Sequence, residues 1–267
     1  MLRRVSTRDG TLIGAGPITG VVAADPELAC AVSDIGGRLE MEDAHVLEVE
    51  SVAPLRVLGA VFDGHGGAAV AKLAARRFQA LFRESLGGGP EAALRAALAS
   101  IHREAQGMRG GAAAATFYVD GPRVAVANAG DAHVVAVSGD AAVRLTEEHR
   151  ITNEAELQRV VAAGATIWGP YVCLPSGDGL MVTRSLADFE FERVGIIAEP
   201  VVSTHPLRPG FLVAACDGLW DVMTAEELPG LLRDAASAGE AANRIAHEAL
   251  HVRRTGDNLT VLAVRVP

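Results

Sequence analysis

Two apolar runs in this chain each end in Asp-Gly. One is Leu58-Gly59-Ala60-Val61-Phe62-Asp63-Gly64 and the other is Val213-Ala214-Ala215-Cys216-Asp217-Gly218. Runs of this length and composition read as buried strands. A carboxylate where such a strand leaves the core is costly to desolvate unless something compensates its charge. The glycine that follows permits a sharp turn and brings its own carbonyl close to whatever the carboxylate holds. Taken singly, an Asp-Gly is also what an ordinary turn looks like. Two at the ends of buried runs point to a shared positive partner, and a metal ion fits that description.

The remaining pattern is mostly strand, with helices arriving in pairs. Residues 29–33, 44–50 and 55–62 read as strands, and 69–84 reads as a helix with Val70, Leu73, Ala74, Phe78 and Leu81 at helical spacing. After the break at Gly87-Gly88-Gly89-Pro90, a second helix is expected over 91–106. A meander of strands follows over 114–120, 124–128, 133–138 and 142–145, and a short helix over 153–163. Residues 165–191 are rich in Gly and Pro and read as an irregular insertion near a functional surface. A strand over 211–216 leads to a helix capped by Thr224 and limited by Pro229. A last helix over 241–253 and a strand over 259–264 close the pattern. No repeat or linker is visible, so one domain over 1–267 is expected.

Composition narrows the function classes. Hydrophobic residues make up 49% but aromatics only 4%, so Ala, Val and Leu must fill the core. A net charge of −9 argues against nucleic acid and against anionic membrane surfaces. Two bound dications would offset about four of those charges. Three cysteines, Cys30, Cys173 and Cys216, give neither a fully paired disulfide framework nor zinc spacing. Arg3 and Arg4 ahead of Thr11-Leu12-Ile13 imitate a signal segment, but Asp9, Gly10, Gly14, Gly16 and Pro17 interrupt it. A soluble, monomeric, cytoplasmic protein is the expectation.

Acids stand beside small residues in several separated segments: Gly37-Arg38-Leu39-Glu40-Met41-Glu42-Asp43-Ala44-His45, Phe62-Asp63-Gly64-His65-Gly66-Gly67, Asn128-Ala129-Gly130-Asp131, Ala215-Cys216-Asp217-Gly218-Leu219-Trp220-Asp221 and Thr255-Gly256-Asp257-Asn258-Leu259-Thr260. In this order they resemble the metal-dependent protein serine/threonine phosphatases of type 2C. The motif-bearing part runs over about 29–266, nearly the whole chain. The resemblance implies an α+β fold, a central sandwich of two antiparallel sheets flanked by helices in four layers.

It also implies a site. Carboxylate and carbonyl oxygens are hard donors that select magnesium or manganese. Asp63 would bridge two ions, with the Gly64 carbonyl and Glu42 serving the first and Asp217 and Asp257 the second. Asp43 would orient coordinated waters from behind. Asp131 and Asp221, with Asp217, match positions for a third ion. A water between the two ions would attack phosphorus directly, with no phosphoenzyme. Arg38 would grip the phosphoryl oxygens and His65 would protonate the departing alkoxide. Set against these roles, Arg38 could be an ordinary ion-pair residue, His65 a satisfied histidine and Asp221 a helix-entry acid. His45 and His149 read as structural, Trp220 as core, and Asp188 as a support for local backbone.

The sequence departs from the family pattern in places. Ile151 follows Glu148-His149-Arg150 where proline is usual, residues 110–116 are alanine-rich, and Ala187 replaces a usual glycine. These departures bear on loop geometry and substrate preference. The substrates implied are phosphorylated proteins, with a Ser/Thr kinase as counterpart. A catalytically silent phosphoprotein-binding relative and a hydrolase of small phosphoesters are the competing readings.

Overall fold

Residues 20–267 are described by the computed structural model. The N-terminal reading around Arg3, Arg4 and residues 11–13 lies outside them. Among the described residues, two antiparallel sheets form the centre. One holds β4 (Leu55–His65) between β3 (Ala44–Val52) and β5 (Gly111–Asp120), then β6 (Arg123–Ala129) and the edge strand β12 (Val201–Pro206). The other has six strands in the order β1 (Gly20–Asp25), β2 (Ala29–Asp34), β14 (Leu259–Val266), β13 (Gly210–Ala215), β7 (His133–Ser138) and β8 (Ala141–Arg144).

Alternation along each strand builds three apolar layers. Val57 and Val61 of β4 point between the sheets, where they meet Phe117, Leu212, Ala214, Leu262 and Val264. The intervening Leu58, Ala60 and Phe62 point outward, onto α1 (Ala69–Ser85) and α2 (Pro90–Glu104). Val70, Ala74, Phe78 and Leu81 of α1 are buried there, and Leu73 is partly so, as their spacing predicts. On the far face, Val213, Ala215, Val261 and Ala263 pack against α5 (Leu228–Leu232) and α6 (Ala238–His247). The result is the four-layer α+β sandwich expected from the sequence. Ala and Val supply most of its core, as the scarcity of aromatics requires.

Some elements differ from expectation. Strand β4 does not end at Phe62: Asp63, Gly64 and His65 stay in the ladder opposite Ala113, Ala112 and Gly111. Strands β1 and β12 are additions, and β12 is an edge strand of half-buried residues with little alternation to read. Pro229 falls at the start of α5, where its missing N–H costs nothing, after a 3₁₀ turn over Ala225–Glu227 closed by a Thr224–Glu227 capping box. The helix expected over 241–253 is α6 capped by Ser237, followed by a wide π turn over Glu248–Val252. Residues 165–191 are less irregular than expected. After α3 (Glu154–Ala162) they form a small antiparallel sheet of β9 (Thr166–Trp168), β10 (Tyr171–Cys173) and β11 (Gly179–Leu180). Val160, Val172, Leu174, Val194 and Ile196 give it a core of its own. No described helix is long and apolar enough to cross a membrane.

Candidate active site and metal centre

Register alone brings the acidic segments to one end of the sandwich. Ala44 faces Phe62, Phe62 faces Ala114, and Ala114 faces Ala129 in one sheet. In the other, Leu259 faces Asp34 and Ala215 faces both Val261 and His133. Asp43 and Asp131, just beyond β3 and β6, and Asp63, still within β4, therefore lie at the end of the first sheet where Asp217 and Asp257 flank the strands of the second.

Asp63 stands at the middle. Its carboxylate lies within 4.8 Å of donor atoms of Asp43 and Cys216 on one side, and of Asp131 and Asp217 on the other. Asp217 opens the short helix α4 (Asp217–Trp220), and its backbone N–H donates to Asp63 Oδ2 at 3.4 Å. The two glycines of the Asp-Gly pairs are needed for close approach, not for a turn. A Cβ on Gly64 would lie 2.3 Å from the Glu42 carbonyl oxygen, and one on Gly218 would lie 1.9 Å from that of Asn258. Small partners across the ladder, Gly111 to Ala113, leave room around Asp63 and His65.

Asn258 ties the approaching loop down. Its Nδ2 donates to the carbonyls of Ile35 and Glu40 at 2.9 and 3.0 Å, and its Oδ1 accepts the Glu42 N–H at 2.8 Å. Asp43 accepts from Thr260 Oγ1 at 2.7 Å. Among the described residues, Glu42 and Asp257 belong to neither donor cluster around Asp63. Arg38 extends across the rim and its Nη2 donates to Asp257 Oδ2 at 2.5 Å. That side chain is 55% exposed, so the other guanidinium N–H groups remain open to a ligand.

His65 is joined to Asp188 by a 2.7 Å bond between Nε2 and Oδ2, and Ser185 Oγ donates to the same oxygen. Asp188 thus does more than support local backbone: its carboxylate holds an imidazole 123 residues away. Arg150 lies across three acids, with Nε on Asp131, Nη1 on Asp221 and Nη2 on Asp217. His149 is structural, its Nδ1 accepting the Gly130 N–H at 3.1 Å. His45 pairs with Val61 within the sheet. Trp220 packs partly buried against the outer core, its indole N–H on the Ala215 carbonyl. Sequence reasoning gave Arg150, Asp188 and Asn258 no place at the site.

The donor set suits hard dications. Burial, then repulsion from Asp217, pushes the Asp63 carboxyl well above the usual range. Burial, then Asp131, pushes Asp217 up to about 7, and burial pushes Asp43 up to about 6. Carboxylates crowded in this way are stable in their charged form only with positive charge between them. Burial also pushes the Cys216 thiol well above its ordinary value, and its sulfur is engaged by the Thr260 N–H at 3.1 Å. It therefore stays protonated and leaves the coordination to oxygen.

A family model described as protein phosphatase 2C matches residues 32–258. The chain belongs to that family. It is accordingly a metal-dependent protein serine/threonine phosphatase. A probable protein phosphatase 2C 67 of Oryza sativa subsp. japonica is 32% identical over 302 residues, covering 98% of this chain and 80% of that protein. A protein kinase and PP2C-like domain-containing protein of Arabidopsis thaliana is 33% identical, covering 90% of this chain but 39% of the relative. Among solved structures, the serine-threonine phosphatase 2C of Toxoplasma gondii superposes with a TM-score of 0.72 at 17% identity, over 93% of this chain and 99% of that one. A sex-determining protein of C. elegans gives 0.77 at 22%, over 91% and 65%. At those identities the structures speak for the fold alone.

Proposed function

We propose that this protein phosphatase 2C module holds two dications, magnesium or manganese, and hydrolyses phosphoserine and phosphothreonine esters in a single displacement. The observation that carries this is the position of Asp63, which among the described residues is shared by the cluster with Asp43 and Cys216 and the cluster with Asp131 and Asp217. Asp63 would serve both ions, the Gly64 carbonyl and Glu42 the first, Asp217 and Asp257 the second, with Asp43 behind. When bound, such ions supply an activated water and neutralise phosphoryl charge.

The chain's own residues do the rest. Arg38, anchored at one nitrogen by Asp257, offers its remaining N–H fork to two phosphoryl oxygens. As the bond from water to phosphorus forms, the ester P–O bond breaks and its electron pair passes to the serine or threonine oxygen. His65 gives that oxygen its proton. With Nε2 engaged by Asp188, the delivering nitrogen is Nδ1. The products are the free hydroxyl side chain and inorganic phosphate, with no covalent enzyme species.

We infer substrates phosphorylated by Ser/Thr kinases, a reading supported by the kinase module named in the Arabidopsis relative. A cytoplasmic setting accords with three free, buried cysteines. The test is hydrolysis of a phosphothreonine peptide and of p-nitrophenyl phosphate with manganese, with and without chelator. Turnover should require the metal, and Asp63→Asn should lose both ion binding and turnover. Absence of metal-dependent turnover by the pure folded protein overturns the reading.

A further inference from the structure

Arg150 occupies the place where the sequence pattern predicts a third ion. Its three guanidinium nitrogens each take a different acid: Nε to Asp131 Oδ2 at 2.7 Å, Nη1 to Asp221 Oδ1 at 2.7 Å, and Nη2 to Asp217 Oδ2 at 3.1 Å. The side chain is 16% exposed. It is planar and permanently charged, so its fork satisfies several carboxylates at once.

The main chain at Arg150 is held beside the acids by bonds of its own. The turn before Arg150 is tied to the turn bearing Asp131. His149 donates its N–H to the Gly130 carbonyl at 3.2 Å and accepts the Gly130 N–H at 3.1 Å. Asn128 Nδ2 reaches the Glu147 carbonyl at 2.6 Å. Arg150 itself forms a β-bridge with Val182. The stretch of chain that carries Arg150 is therefore held beside the Asp131 turn, which keeps the guanidinium within reach of all three acids.

We propose that Arg150 is a built-in cation standing in for the third ion, so that this chain binds two dications and excludes a third. A dication between Asp131 and Asp221 would have to displace a charge held by three acids, or sit beside it against repulsion. The same contact engages Asp217 Oδ2 and leaves Oδ1 for the ions around Asp63. The proposal rests on the two-ion reading above.

The test counts ions without reference to turnover. The metal-free full chain is equilibrated with manganese up to millimolar concentration, and bound metal is measured by equilibrium dialysis and elemental analysis. Wild type should saturate at two ions, and Arg150→Ala should gain a third, weaker one. Three ions in wild type, or no gain in a folded Arg150→Ala, would overturn the proposal and leave the two-ion reading intact. No ion bound by wild type would instead overturn the two-ion reading. Should the variant fail to fold, anomalous scattering from manganese-soaked wild-type crystals decides the matter. Peaks beside Asp63 with none between Asp131 and Asp221 support the built-in cation, and a peak between those two residues refutes it.

Discussion

The imidazole of His65 is held against its surroundings. Burial favours its neutral form, but the Asp188 carboxylate at 2.7 Å, together with the nearby Asp131 and Glu42, outweighs burial and raises its proton affinity above the ordinary value. A protonated imidazole beside the leaving group is what an acid catalyst requires. His65→Ala is expected to slow phosphopeptide hydrolysis by ~10²–10⁴-fold. An aryl phosphate, whose phenolate departs unaided, should slow far less. Asp188→Asn should give a smaller loss with the same leaving-group dependence. Equal slowing of both substrates in steady-state assays would remove His65 as the acid. Asp63 and Asp217 were legible as site residues because an unpaired acid at the end of an apolar run is anomalous by itself. Asp188 was not, since its partner is remote and nothing in Ser185-Leu186-Ala187 marks it. Ala187 shows a related limit. It holds φ 69 in the left-handed region where glycine is expected, a backbone demand that an alanine in the sequence conceals.

Helix α3 is fastened to Thr183 and Arg184 by one buried acid. Glu156 accepts from Arg184 Nη2 and Thr183 Oγ1, each at 2.7 Å, and also from Arg159. Burial works upward on its carboxyl, yet Arg184, Thr183 and Arg159 outweigh it and hold it down to about 2. Its folded-state value is depressed, so it stabilises the fold above its unfolded value of about 4.3 and loses that contribution as pH falls towards 2. Glu156→Gln leaves two arginines without their counter-charge and should cost ~3–5 kcal/mol. Urea unfolding should show that cost at pH 7, and it should shrink at acid pH. Helices α1 and α2 were readable because one face meets the core and the other meets water. The small sheet β9–β11 was not, since its strands have two or three residues and give no period to read.

Ions held as proposed would tie the whole molecule together, because the residues named for them come from both sheets. Ligand binding to the native state alone stabilises by mass action, about 2.7 kcal/mol per site at ~100 times the dissociation constant. Manganese should therefore raise the melting temperature, a chelator should lower it, and Asp63→Asn should abolish the difference in thermal scans. The sandwich itself was legible through the order of its motifs, not through periodicity. Strands β4, β5 and β13 are buried on both faces, so alternation between apolar and polar residues is nearly absent along them. Which strand neighbours which is then invisible in a single sequence. One consequence follows from Asp63 rising out of one slab while Asp217 rises out of the other. The cleft is aligned only while the two plates keep their register, so a molecule that slipped one plate past the other, by pressing on the outer helices, would throttle turnover without ever entering the cleft.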